Sequence, residues 1–455
     1  MNKLLGVVLA TILVLLVSVV PVSAETVNGI NATSRLAGQD HYQTSVAIAE
    51  AYNHNGDCGN VILASGDSFP DALSASILSK KMNAPILLVG STVNASSDTF
   101  NYLYTHASQQ RGNVYIVGGT GVIGPDFETK LASMGYSNIK RLGGTDRYDT
   151  NMLLVNEVNV TQGTPVFIAS GENFPDALSI SSFSGSKQYP TLLVGVDYLP
   201  DKTKGYLLNE KPSAVYIAGG TSVVSQDIEN QINALVPGAT VTRLAGDDRF
   251  GTNAAVINEF SSTPDTIYLA NGDDFPNVLA GSALAAKTGN PIILVDNQLS
   301  TLPSAAEAYL NELNDSGIQA NSIALGGTDV VSDDLIQQFE NAFYADRKIP
   351  FLPLDYKNVD NIQVTGNANK IYSEKYIMQI VKIINGIKSY ESIDIPVYHS
   401  TPAPNLSLMI TTKENKYIMI YEDYDLKDKI SDGHTSYIIN HSAIEQIFSN
   451  YVLDN

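Results

Sequence analysis

The sequence predicts an α/β protein of three tandem modules, each built on a parallel sheet, followed by a smaller α+β domain. Three observations predict it. Four short blocks recur in the same order three times, at a spacing of roughly 100 residues. Wholly apolar runs bounded by glycine alternate with helically spaced ones, the mark of strands buried on both faces between helices. All four blocks disappear after about Phe343.

The first block reads Arg35-Leu36-Ala37-Gly38-Gln39-Asp40-His41-Tyr42. It returns as Arg141-Leu142-Gly143-Gly144-Thr145-Asp146-Arg147-Tyr148 and as Arg243-Leu244-Ala245-Gly246-Asp247-Asp248-Arg249-Phe250. Thr44, Thr150 and Thr252 follow two positions later. Apolar residues spaced for one buried face then predict a helix, as over Thr150–Val158. Val61-Ile62-Leu63-Ala64 and its counterparts are buried strands. The second block contains Phe69-Pro70-Asp71-Ala72-Leu73, Phe174-Pro175-Asp176-Ala177-Leu178 and Phe275-Pro276-Asn277-Val278-Leu279. It reads as a helix start, since proline is tolerated in the first turn and an aspartate there complements the dipole. The third block is a second buried strand, such as Pro85-Ile86-Leu87-Leu88-Val89. The fourth is a third strand ending in Gly-Gly-Thr, at Gly118-Gly119-Thr120, Gly219-Gly220-Thr221 and Gly326-Gly327-Thr328. Strands alternating with helices make each sheet parallel, with loops at the carboxyl ends as the ligand rim.

Residues 347–455 carry none of these blocks and are rich in tyrosine and lysine. Helical spacing over Ser373–Ile387, a strand–turn–strand over Leu406–Met409 and Tyr417–Tyr421, and a closing helix over Ser442–Val452 predict a separate α+β domain. At the other end, Lys3, an apolar run from Leu4 to Val20, and Pro21-Val22-Ser23-Ala24 read as a secretory signal cut after Ala24. The alternative is an uncleaved anchor helix. Domain limits follow as 1–24 for the signal, 25–140, 141–242 and 243–346 for the modules, and 347–455 for the terminal domain.

Composition narrows function. The chain of 455 residues carries a formal net charge of −20 and is 44% hydrophobic. Disorder throughout is excluded by that apolar content, and a general nucleic-acid binder by the acidity. After signal cleavage no further segment is apolar enough to span a membrane. An anionic partner has to be met by a local basic site or through bridging cations. Cys58 is the only cysteine, so no intrachain disulfide forms, and its neighbour Asp57 does not favour a thiolate. His399, His434 and His441 lack metal-ligand spacing, so no metal and no cofactor are expected.

At this point the blocks resemble the cell-wall-binding repeat 2 family over about residues 33–345. The resemblance implies Toprim-like α/β modules packed about a pseudo-threefold axis, in surface proteins of Gram-positive bacteria. It implies a secreted protein of the cell wall or surface layer, held non-covalently on an anionic secondary cell-wall polysaccharide or teichoic-acid-like polymer. Two departures stand out: His41 replaces the usual arginine in the first copy, and Asn277 the aspartate in the third.

Arg35, Arg141 and Arg243, with Arg147 and Arg249, are the candidate polymer-binding residues, because guanidinium forks match phosphate and carboxylate oxygens. Their alternative role is structural: pairing with Asp40, Asp146 and Asp248 of their own blocks, or locking a module interface. Gly119, Thr120, Gly220, Thr221, Gly327 and Thr328 read as tight strand exits, or else as backbone anion cradles. Asp71 and Asp176 read as helix caps. Asp67 with Asp71, and Asp273 with Asp274, lack the spacing of a Toprim-type magnesium site, so no catalytic residue is assigned. The alternatives to anchoring are a wall-turnover hydrolase active in the C-terminal domain and a surface-layer adhesin.

Overall fold

The computed structural model describes residues 33–344, except 55, 57, 69, 107–111, 262, 299–300, 317 and 319, together with the backbone of seven strands between 359 and 439. The signal segment, and the helices expected over 373–387 and 442–452, lie outside the described residues.

Each module repeats one pattern. The first runs β1 (Ser34–Leu36), α1 (His41–Tyr52), β2 (Asn60–Ser65), α2 (Ala75–Met82), β3 (Ile86–Val89), α3 (Ser97–His106), β4 (Asn113–Val117) and α4 (Asp126–Ser133). The second runs β5 (Asn138–Leu142), α5 (Arg147–Val158), β6 (Val166–Ser170), α6 (Pro175–Lys187), β7 (Thr191–Val194), α7 (Asp201–Glu210), β8 (Ala214–Ala218) and α8 (Gln226–Leu235). The third runs β9 (Thr240–Leu244), α9 (Arg249–Phe260), β10 (Thr266–Asn271), α10 (Phe275–Thr288), β11 (Ile292–Val295), α11 (Ser304–Asp315), β12 (Asn321–Leu325) and α12 (Asp333–Tyr344).

The strands form three four-stranded sheets, and in every one all pairings are parallel. Their orders are β3-β2-β4-β5, β7-β6-β8-β9 and β11-β10-β12-β1. The sequence repeat and the sheet are therefore out of phase. The strand that opens each repeat completes the sheet of the repeat before it. The first strand of all completes the last sheet, with Arg35 opposite Ala324. This closes the modules into a ring.

Local chemistry explains the starts of the helices. Asp40, Asp146 and Asp248 sit extended and accept the N–H of Gln43, Asp149 and Gly251, capping α1, α5 and α9. Thr44, Thr150 and Thr252 accept the N–H of Gly38, Gly144 and Gly246 at 3.0, 3.0 and 3.3 Å, fixing the turn ahead of each helix. The Phe-Pro block begins α6 and α10 as expected, with proline in the first turn. In the first copy residues 70–74 form a run of turns, and α2 begins only after Ser74.

The helices α2, α6 and α10 pack on one another at the centre. A Cβ at Gly185 of α6 would stand 2.4 Å from Ala286 Cβ of α10 and 2.8 Å from the Ser76 carbonyl of α2, so only glycine lets the three backbones meet. One apolar core runs through all three modules, from Leu73, Leu78 and Ile77 through Leu178 and Phe183 to Leu279 and Leu325. Smaller cores lie on the other faces of the first two sheets. Cys58 is buried within one of them, its sulfur 3.9 Å from the Tyr102 hydroxyl.

Beyond the modules the described strands are β13 (Val359–Gly366), β14 (Lys370–Ile371), β15 (Tyr390–Ile393), β16 (Leu406–Thr412), β17 (Tyr417–Glu422), β18 (Asp428–Ser431) and β19 (Ser436–Ile439). They pair antiparallel in the order β14-β13-β16-β17-β18-β19-β15. The expected strand–turn–strand is β16 with β17.

Candidate functional site: three junctions between modules

Each central helix packs against the opening helix of the next repeat: α2 on α5, α6 on α9, and α10 on α1. The Gly-Gly-Thr turn of one module and the arginine block of the next meet at these junctions, so the sequence repeats converge in space.

The arginines divide into two sets. Arg141 donates through Nε and Nη2 to both oxygens of Glu128, each at 2.6 Å, and to the carbonyls of Gly118, Ile123 and Gly124 at 2.9, 2.9 and 3.1 Å. The bond from Arg141 holds the Glu128 carboxyl below the usual glutamate range, against the opposing effect of burial. Arg243 repeats this with Glu229 at 2.9 and 2.7 Å and the Gly219 carbonyl at 2.8 Å. Arg35 does so across the ring closure, donating to Gly326 and Val331 carbonyls at 2.7 and 2.8 Å and to Asp333 at 2.8 Å. These three therefore tie each opening strand to the Gly-Gly-Thr turn and the following helix of the preceding module. Their partners are not Asp40, Asp146 and Asp248, which are occupied as helix caps.

Arg147 and Arg249 occupy the other station, at the first residue of α5 and α9. Their side chains lie over Gly171 and Gly272, and each donates through Nη1 to that glycine's carbonyl. Arg249 also pairs with Asp273. Its charge reaches Asp176 of the preceding module, which burial pushes up from the ordinary aspartate range while a Thr252 hydrogen bond and Arg249 draw it down. Asp176 is in the first turn of α6, but its partners lie across the junction; the N-cap position is held by Phe174. Asp71, in the turns before α2, takes the corresponding position in the first module.

The Gly-Gly-Thr turns follow the strands β4, β8 and β12, and it is the first glycine that the backbone requires; a Cβ at Gly220 or Gly327 would meet nothing within 4 Å. Gly118, Gly219 and Gly326 have φ of +125°, +104° and +114°. A Cβ there would stand 3.3 Å from Asp71 Oδ2, 2.5 Å from Asp176 Oδ2 and 2.9 Å from Asn277 Nδ2. Gly119 and Thr120, Gly220 and Thr221, and Gly327 and Thr328 complete the turns, and the carbonyls of Gly119, Gly220 and Gly327 accept the N–H of Ile123, Val224 and Val331 at 3.1, 3.1 and 3.0 Å.

The two departures from the repeat pattern fall at one junction. His41, the counterpart of Arg147 and Arg249, opens α1 and lies over Gly66. Burial pushes the nearby Asp274 up from the ordinary aspartate range, with His41 and Asn277 opposing it, and Asn277 Nδ2 donates to Asp274 Oδ2 at 2.8 Å. His41 Nε2 and Asn277 Oδ1 are both buried without a hydrogen-bond partner. Arg249 thus acts on the aspartate of the preceding module, Arg147 and Asp71 hold the same sequence positions at a second junction, and the third replaces both members.

Sequence reasoning missed Asn151 and Asn253. Both are buried on the opening helices, and each bridges backbone of the second strand that follows, β7 or β11: Asn151 donates to the Thr191 carbonyl at 2.7 Å and accepts from Leu193 at 3.1 Å. Asn253 does the same with Ile292 and Leu294 at 2.9 and 3.0 Å. Ser45 accepts the Leu88 N–H in the first copy. The signal available was an asparagine directly after the recurrent threonine, on a face otherwise apolar.

Among the described residues no group of His, Cys, Asp and Glu could hold a metal ion, and no helix is long and apolar enough to cross a membrane. Three parallel α/β modules closed in a ring, with repeated arginine stations at their junctions, define a tandem-repeat binding platform. The chain belongs to the cell wall binding domain 2 family, whose model matches residues 35–128, 141–229 and 243–336. It is 30% identical to the "Amidase enhancer" of Bacillus subtilis over 367 residues, 79% of this chain and 48% of that protein. It is 27% identical to the N-acetylmuramoyl-L-alanine amidase LytC of the same organism over 311 residues, 68% of this chain and 58% of that one. It is also similar in structure to Cwp6 from Clostridium difficile, with a TM-score of 0.62, 26% identity, and coverage of 69% of this chain and 48% of that one. Cwp8 from the same organism shares the fold, with a TM-score of 0.61 at 23% identity over 68% and 51% of the two chains. This chain thus spans about half the length of the relatives it matches. It carries three cell wall binding repeats.

Proposed function

We propose that the three modules hold a secreted protein non-covalently on an anionic secondary polymer of the wall, through the junctions between them. The observation that carries this reading is the division of the arginines. Arg35, Arg141 and Arg243 are consumed in holding the ring together. Among the described residues, Arg147 and Arg249 bond protein carbonyls through Nη1 alone, and Arg249 also meets Asp273. A guanidinium with donors to offer is the group best suited to phosphate or carboxylate oxygens in an otherwise acidic chain. Several weak stations engaged together raise overall affinity through effective concentration, without one strong site. In this reading the chain binds and does not hydrolyse.

The test is co-sedimentation of the chain from Glu25 onward with isolated walls, before and after hydrofluoric-acid removal of secondary polymers. A chain ending near Phe343 runs beside it. Both should pellet with intact walls and stay soluble with stripped ones. If only the longer chain pellets, or stripping changes nothing, the junctions are not the anchor. A second reading, a role in wall turnover, is favoured by the names of the two Bacillus relatives. Release of reducing groups or amino termini from purified peptidoglycan would support it.

A further inference from the structure

Among the described residues, one of the three modules presents an exposed aromatic ring beside a carboxylate at its rim. Tyr198 follows β7 and is 55% exposed. Its loop is well tied: Gly195 N–H donates to the Tyr198 carbonyl at 2.8 Å, Ser225 N–H to the Val196 carbonyl at 2.9 Å, and Leu199 is buried. The exposed ring is therefore held in place by the fold and not merely left in solvent. Tyr148 meets it edge-on, with centroids 5.7 Å apart and planes at 72°. The Tyr148 hydroxyl donates to Glu172 Oε1 at 3.4 Å.

All three side chains converge on Gly195. A Cβ there would lie 2.9 Å from Glu172 Oε1, 3.0 Å from Tyr198 Cβ and 3.3 Å from the Tyr148 hydroxyl. Glu172 Oε1, Tyr198 Cβ and the Tyr148 hydroxyl thus pack directly on the bare backbone of Gly195 as one cluster, and Arg147 lies beside Tyr148 over Gly171. The other modules lack it. In the first, Tyr42 and Asp67 repeat the hydroxyl–carboxylate bond at 2.6 Å and the Tyr42 hydroxyl again lies over a glycine, Gly90, but Ala95 packs there in place of Tyr198 and supplies no ring. In the third, Phe250 has no hydroxyl, Asp273 is paired with Arg249, and Asp296 stands where the glycine would be.

We infer that the second module carries a sugar-ring subsite, formed by Tyr198, Tyr148 and Glu172 over Gly195, which takes a pyranose of the secondary wall polymer. The inference rests on the wall-binding reading above and names the neutral part of the ligand that the arginines do not address. Aromatic faces accept the apolar C–H face of a pyranose, and a carboxylate accepts its hydroxyl protons. A ring held in place before binding loses little freedom when the ligand arrives. Arg147, one residue away, would meet the charged substituent of the same repeat unit, so one module would read both parts of the polymer.

Two variants test this. Tyr198→Ala should weaken co-sedimentation with intact walls about 3- to 10-fold, the value of one aromatic contact. Tyr198→Trp should retain binding. Because the parent has no tryptophan, its emission reports this site alone and should shift to shorter wavelength when polymer released from walls by hydrofluoric acid is added. Parent-like binding by Tyr198→Ala, or an unchanged emission on adding released polymer, overturns the subsite. A shift with stripped peptidoglycan and none with released polymer overturns its assignment to the secondary polymer. If the parent itself fails to pellet, the wall-binding reading falls first and the subsite with it, a result distinct from a loss confined to Tyr198→Ala.

Discussion

Replacing Arg141 by methionine keeps most of the aliphatic stem and removes the guanidinium. The side chain is 15% exposed and its partner Glu128 33%. The change leaves Glu128 without its cation and removes the guanidinium donor from the carbonyls of Gly118, Ile123 and Gly124, of which Gly124 still accepts the Phe127 N–H. Removing one member of a buried pair costs about 3–5 kcal/mol. Water reaches Glu128 and repairs part of that, so the lower end, about 3 kcal/mol, is expected. Arg147→Met loses one carbonyl bond from a charged donor, about 1.5 kcal/mol or less. Urea denaturation of the chain from Glu25 onward, followed by far-ultraviolet circular dichroism, should therefore separate the two variants clearly. Acid sharpens the comparison. The Glu128 carboxyl is depressed in the folded state, so its contribution is present above the ordinary glutamate value and is lost as pH falls through the folded value. The difference between parent and Arg141→Met should shrink in that window. Were Arg141→Met as stable as the parent yet poor at binding walls, the division of the arginines into structural and ligand-facing sets would be wrong.

Other expectations follow from the junctions. Arg147→Gln with Arg249→Gln should lower wall sedimentation severalfold and reduce its salt dependence, at a stability cost of about 1.5 kcal/mol or less for each carbonyl bond removed. At the third junction, Asn277→Asp alone places a second carboxylate beside Asp274 and should destabilise by about 1–3 kcal/mol, whereas adding His41→Arg should recover much of the loss; additive effects in this double-mutant cycle would show that the two positions do not meet. Asp176→Asn should raise stability at neutral pH, because burial lifts the folded carboxyl's pKa and disfavours its charged form. That gain should vanish as pH falls below the unfolded value, and a constant difference across pH would refute it. Arg35→Ala should cost less than Arg141→Met, since Asp333 is 81% exposed and its ion pair counts for little.

The modules were legible because their strands are short, wholly apolar and punctuated by glycine, and because each feature was written three times. Asp40, Asp146 and Asp248 illustrate what was not. A cap and an ion-pair partner draw on the same residue type at the same spacing, and only the extended backbone ahead of each helix separates them. The partners of Arg35, Arg141 and Arg243 were hidden for a different reason. Each lies in the preceding module, and Asp333 precedes Arg35 in space while following it by almost the whole repeat region in sequence. The coincidence of His41 and Asn277 at one junction was equally invisible, because a linear reading assigns them to the first and third copies. Asn151 and Asn253 escaped because a buried asparagine on an apolar face signals only that a partner exists, not that the partner is strand backbone.

The closing strand has a further consequence for how the molecule comes into being. Arg35 and its acceptor Gly326 are separated by 291 positions, so a chain emerging from its amino end delivers β1 first and the place where it docks last. Throughout that interval each sheet but the newest can complete itself with the strand that follows, while β1 waits unpaired. Formation of the first two sheets needs only neighbouring segments, but the final step closes a very long loop and is the natural slow phase. Once made, that step abolishes both ends of the array. Open repeat stacks need special terminal units to cover their exposed faces; here each unit is covered by its neighbour, and the integrity of the whole becomes contingent on three residues near the start of the described chain.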